Sequence, residues 1–205
     1  MKLSPVILIL MVSDVIMWTG TGLYEPILAI FINDQIRGGS VFTAGIATAI
    51  FLFTKSIIQL PFSRHVDRHD DRNDTTWLII GSVFIVLGPV IYIFATSIWT
   101  VFLAQLSLGI GGGLAYPTWL GLWSTHLDKG HESFEWTLYS TLVGIGTAIT
   151  AAGGAAIAEY FGFRITFAIV AALSFVGAAM LLALFKTKLN GHPPIPVQIK
   201  GRKKL

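Results

Sequence analysis

The sequence predicts an all-α membrane protein: six transmembrane helices forming a 3+3 inverted repeat, with both termini cytoplasmic. Three observations carry this expectation. Of 205 residues, 54% are hydrophobic and only 12% are charged, about half the charged share of a soluble domain. Six apolar stretches reach the roughly 20 residues that one crossing requires. Between the second and third lies a stretch, residues 61–74, holding Arg64, Arg68, Arg72, Asp67, Asp70, Asp71, Asp74, His65 and His69. A charge at the bilayer centre costs about 2.5–3.5 kcal/mol, so this stretch is expected in water, as a loop between two spans.

The expected spans are 5–32, 41–62, 76–95, 97–123, 136–161 and 164–186. The first follows Met1 directly. It lacks a small-residue cleavage site and contains Asp14, so it reads as a retained span rather than a signal peptide. The connector Ala95-Thr96-Ser97 is short enough to make spans three and four antiparallel neighbours. Gly162 suits the tight turn before the sixth span, since glycine adopts positive φ freely. Residues 1–188 are thus expected as one bundle. Residues 189–205 are expected as a basic, disordered cytoplasmic tail: Pro193, Pro194 and Pro196 cannot continue a helix, and Lys200, Arg202, Lys203 and Lys204 attract anionic membrane lipid.

Charge sets the orientation. Lysine and arginine gather on cytoplasmic connectors. With cytoplasmic termini that side holds 11 of them, including Arg64, Arg68, Arg72 and Lys129, against two, Arg37 and Arg164, on the other. The cell (inner) membrane is the expected location. The net charge of +3 comes largely from the tail and gives no reason to expect nucleic acid. There is no cysteine, so no disulfide or thiolate chemistry. No G-x-x-x-x-G-K-[ST] loop and no nucleophile–base set occur. The chain is therefore not read as an enzyme, and neither cofactor nor metal is expected; a solvated loop accounts for His65 and His69.

Two spans carry the same pattern. Gly20-x-Gly22-Leu23-x-x-Pro26 in the first and Gly111-x-Gly113-Leu114-x-x-Pro117 in the fourth stand 91 residues apart. The same spacing pairs Asp14 with Gln105, and a spacing of 92 pairs Asp67 with Glu159 and Arg72 with Arg164. A unit of three spans, repeated, must return upside down, which is the inverted architecture of many secondary transporters.

Asp14, Trp18, Thr21 and Glu25 recur at helical spacing and share one face of span one. Thr48, Lys55 and Gln59 do the same on span two. Acids inside a membrane face a bundle interior or a water-filled cavity. Counting about 1.5 Å per residue, Asp14 and Lys55 lie at similar depths, so an ion pair between them is expected. Asp14 then serves as a proton or cation site, or as a structural clasp. Gln105 reads as a cavity ligand or as a bond to a neighbouring helix. Trp18, Trp119 and Trp123 are candidates for stacking a planar ligand. Asp67, Arg68 and Arg72 are expected to form a charge clasp, with Asp128 as a further member.

With these residues in view, the chain resembles one six-helix half of a major facilitator superfamily transporter, over residues 5 to 186. The family's G-x-x-x-D-R-x-G-R-R loop is similar to residues 63–72, where Asp67, Arg68 and Arg72 match and Ser63, Asp70 and Asp71 depart. The segment Gly153-Gly154 through Glu159, Gly162 and Arg164 resembles the family's ending of span five. The opening, Asp14 through Pro26, is similar to the first span of drug–proton antiporters. Gln105 stands where the family often has arginine, and Ile149-Thr150 stand where the antiporter signature has Gly-Pro.

The resemblance implies a transporter of a small organic solute, coupled to protons through Asp14. Spans one and four would line the cavity, spans two and five would meet the other half, and the Asp67, Arg68 and Arg72 loop would govern the conformational switch. Either a second copy of the chain or a separately encoded half supplies the missing bundle. The alternative is a non-transporting subunit that binds or regulates another membrane protein.

Overall fold

The computed structural model describes residues 3–187, and these are helical throughout, with no strand among them. Six helical segments are long and apolar enough to cross a membrane. The first is broken: α1 (Pro5–Gly22), a 3-10 turn (Glu25–Ile27) and α2 (Leu28–Gln35). Pro26 has no N–H to give to the carbonyl four residues back. The chain tightens there instead, with Leu23 N–H donating to Gly20 O at 3.2 Å and Tyr24 N–H to Thr21 O at 3.1 Å. The other spans are α3 (Val41–Val66), α4 (Asp71–Ile93), α5 (Ile98–His126), α6 (Glu132–Phe161), and α7 (Phe163–Leu181) with its 3-10 end Leu182–Lys186. The expected tail, residues 189–205, lies outside the described residues.

The charged stretch is less of a loop than its composition implies. Only residues 67–70 separate α3 from α4. Charge at a helix end is compatible with helix when its sign opposes the helix dipole. Arg64 and His65 occupy the last turn of α3, and Asp71 and Asp74 the first turn of α4. Asp70 caps α4, its carboxylate accepting from Asn73 N–H at 3.1 Å. The same charges that keep these turns out of hydrocarbon therefore lengthen both helices.

At the opposite end, Ser40 and Thr43 form a capping box that starts α3, and Thr100 accepts the Ser97 N–H at 3.3 Å before α5. The two connectors there touch: Arg37 N–H donates to Thr96 O at 3.2 Å. Gly38, at φ 74°, makes the turn that brings Arg37 into place.

Packing divides the spans into two groups. α5 packs on α3 and α4, and α1 packs on α6 and α7; α4 meets α7 across the middle. Glycines set these approaches. A Cβ on Gly111 would lie 2.7 Å from Gly81 O on α4, and one on Gly113 would lie 2.7 Å from Ile58 Cβ on α3. On the other side, a Cβ on Gly20 would meet Leu173 of α7 at 3.3 Å, and one on Gly22 would meet Thr150 and Thr147 of α6. One end of the bundle is filled by Tyr24, Phe31, Tyr92 and Phe167, the other by Ile7, Leu10, Trp119, Trp123 and Leu181. α3 and α6 are the least buried spans.

Gly153 and Gly154 offer a matched test. A Cβ on Gly154 would collide with the Leu23 backbone, whereas nothing lies near one on Gly153. Gly154→Ala should lower stability by about 1–3 kcal/mol, as overpacking does, and Gly153→Ala by no more than about 0.5 kcal/mol. Thermal unfolding of the detergent-solubilised variants measures both.

Candidate functional site

Asp14 lies in α1, within the apolar run and near the middle of the helix. It is half-buried, and its carboxylate accepts a hydrogen bond from the Tyr139 hydroxyl of α6. Tyr139 belongs to an aromatic wall. Trp119 and Trp123 stack at 4.8 Å between centroids, Tyr139 sits 5.0 Å from Trp119 and 5.2 Å from Trp123, and Trp136 closes the group. Trp119 and Trp123 thus stack on each other and are buried, rather than standing open to a ligand. Trp18, one turn beyond Asp14, remains 43% exposed. Asp14 is placed at the border between a closed aromatic wall and an open face.

The other residues of that stripe behave differently. The Thr21 hydroxyl donates to Met17 O at 3.1 Å and so is used within its own helix. Glu25 is exposed and opens the 3-10 turn at the break. On α3, the Lys55 ammonium lies 4.9 Å from the Tyr116 ring of α5 and 5.9 Å from the Phe51 ring. Its stem runs over Gly112, where a Cβ would sit 3.4 Å from Lys55 Cδ. Gln59 buries its Oε1 without a hydrogen-bond partner, and Gln105 is buried within α5.

Two expected groupings are corrected. Asp14 and Lys55 do not form an ion pair, because α1 packs on α6 and α7 whereas α3 packs on α5. Each group takes a partner from the helix it meets, a phenol for Asp14 and an aromatic face for Lys55. Nor do Asp67, Arg68, Arg72 and Asp128 pair with one another. Asp67, Arg68 and Arg72 are exposed at the helix ends, and Asp128 is half-buried after α5. Among the described residues the one acid–base contact within 4 Å is His126 Nε2 with Asp71 Oδ2 at 3.7 Å, an ion pair when the imidazole is protonated, between the end of α5 and the start of α4.

Tyr139, Tyr116 and Glu135 are not among the residues singled out from sequence. A fifth span that starts at residue 136 leaves Glu135 in water. The structure begins α6 at Glu132 and buries Glu135 completely (0% exposed), with neither carboxylate oxygen hydrogen-bonded. The available signal was spacing: Glu135 and Tyr139 are four apart and share a helical face. In chemical terms the site offers a carboxylate that can hold or release a proton against a phenol. It adds an exposed indole beside that carboxylate; the Lys55 ammonium rests apart, on the Tyr116 ring between α3 and α5.

A family model described as Major Facilitator Superfamily matches residues 10–204. No curated protein matches the chain.

Tyr139→Phe keeps the ring in the aromatic wall and removes only the hydroxyl bonded to Asp14. It should cost about 1 kcal/mol, the usual scale of a hydrogen bond between membrane helices. Ala at the same position should cost about 3 kcal/mol or more, because the wall loses its ring. Reversible unfolding of the two variants separates the bond from the packing.

Proposed function

Because this chain belongs to the major facilitator superfamily, we propose that its six spans are one half of a secondary active transporter moving a small organic solute, with proton coupling through Asp14. The observation that carries this reading is the Asp14–Tyr139 bond: an acid kept inside a span, beside an open indole, with a proton-bearing partner and no countercharge. Protonation removes the cost of holding that charge away from water. Emptying and filling the site can thereby be linked to a proton.

Alternating access requires one bundle to rock against another, and in this proposal a second copy provides it. The apolar exposure of α3 and α6 supports an interface there: Phe53 is 70% and Ile149 68% exposed. The inverted repeat is supported by contact equivalence. Gly113 meets Lys55 and Ile58 of α3, and Gly22 meets Thr147 and Thr150 of α6. Those neighbours stand at the 92-residue spacing seen in the sequence. Gly111 on α4 and Gly20 on α7 make a second equivalent pair. Lysine and arginine distribution supports cytoplasmic termini and an inner-membrane location.

Purified protein in liposomes should move a solute from a panel of small organic compounds when a pH gradient is imposed. Asp14→Asn should abolish the gradient response while leaving solute exchange at equal pH. A wild-type protein that moves none of the panel favours the non-transporting subunit, and an Asp14→Asn variant with unchanged gradient response removes the proton role.

The pairing of copies is tested separately, since the chain has no native cysteine. Phe53 lies as far from the N-terminal end of α3 as Ile149 does from the C-terminal end of α6, and in a six-span bundle these two ends share one side. The double variant Phe53→Cys, Ile149→Cys should crosslink to a covalent dimer in membranes. A strictly monomeric yet active protein overturns the dimer.

A further inference from the structure

The last two turns of α3 bear a second candidate site, on another face from Lys55 and Gln59. A cleft of about 370 Å³ is lined by Pro61, Arg64, His65, Arg68 and His69. No acid lines it, although four lie within the next few residues. Asp71 turns toward His126, and Asp74 is buried beside Gly121 of α5. The Asp70 carboxylate caps α4, and Asp67, the C-cap residue of α3, is exposed. Three of the four acids are thus engaged elsewhere, and Arg64 and Arg68 make no ion pair among the described residues.

Depth identifies the medium this cleft meets. α3 has 26 residues, about 39 Å at 1.5 Å each, against a hydrocarbon core of about 30 Å. With its capped start at one surface, its last turns stand among lipid headgroups at the other. Phe62 and Trp77 pack beside the cleft at 5.2 Å, and Trp77 lies 6.0 Å from His65; tryptophan favours that level. Below the arginines the face of α3 that bears Arg64 is apolar: Ile57 and Pro61 precede it at helical spacing, and Ile57 is exposed. Apolar track and basic head match an acyl chain and a phosphate.

The imidazoles add donors. His65 and His69 stack at 3.9 Å. His69 Nδ1 is 2.6 Å from His65 O, to which it can only donate, and His65 Nε2 is 3.3 Å from the Asn73 amide nitrogen, from which it accepts. His65 Nδ1–H is left as a donor. We propose that this cleft binds the phosphate of an anionic phospholipid, with Arg64 and Arg68 gripping its oxygens and the acyl chain lying along Ile57. Guanidinium groups suit this role because their planar donors match phosphate oxygens. The proposal does not depend on transport.

The test is native mass spectrometry of the full chain released from detergent, titrated with phosphatidylglycerol or phosphatidylcholine. Both lipids carry the phosphate, but the choline ammonium of phosphatidylcholine is repelled by Arg64 and Arg68, so wild type should prefer phosphatidylglycerol by about tenfold. Arg64→Ala with Arg68→Ala should abolish the preference, whereas Arg164→Ala, at the other end of the bundle, should keep it. If the alanine pair fails to fold, Arg64→Lys with Arg68→Lys keeps the charge, loses the fork and should lower the preference severalfold. Equal binding of the two lipids by wild type, or an unchanged preference in the paired variants, overturns the proposal. So does displacement of phosphatidylglycerol by millimolar inorganic phosphate, which would make the ligand a soluble anion.

Discussion

Close approach of helix backbones at small residues is the contact on which this bundle rests. In lipid, helices gain nothing by hiding apolar surface from one another, so packing and polar bonds between helices must hold them together. α5 is the centre of one group because Gly109, Gly111 and Gly113 let it lie against α3 and α4. α1 is the centre of the other because Gly20 and Gly22 on its own surface, and Gly146 and Gly154 on α6, do the same. These approaches also arrange the chemistry. Bringing α5 onto α3 lays Lys55 across Gly112 toward the Tyr116 ring, and bringing α1 onto α6 sets Asp14 against Tyr139.

The six crossings were legible because hydropathy and length are properties of a segment alone. Helix ends were less so. Residues 61–74 look like a loop when charge is weighed only against hydrocarbon, yet Asp70, Asp71, Asp74, Arg64 and His65 carry signs that suit the helix termini they occupy. The same oversight put Glu135 in water. The partner of Asp14 was beyond reach for a different reason. Depth along a span follows from counting residues, but which spans touch does not. Lys55 matches Asp14 in depth and opposes it in sign, while Tyr139, uncharged and one of several aromatics, is marked only by its four-residue spacing from Glu135. Asp14 stands out in the sequence because acids are rare in such surroundings, and in the structure it is half-buried, one turn from the exposed Trp18.

Among the described residues neither Asp14 nor Lys55 is matched to an opposite charge. A buried ion pair has to be broken before either member can serve a ligand, and a charge left alone is strongly destabilising. A phenol meets Asp14, and a ring face lies under Lys55. Asp71 and His126 meet apart from both, where α4 begins and α5 ends.

The bond from Arg37 to Thr96 has a mechanical consequence. It laces the turn after the first crossing to the turn after the third, at the end of the molecule remote from Asp14. At the other end residues 67–70 join α3 to α4, and His126 meets Asp71 between α5 and α4. α3, α4 and α5 are therefore tied at both ends, so any displacement of one is passed to the other two.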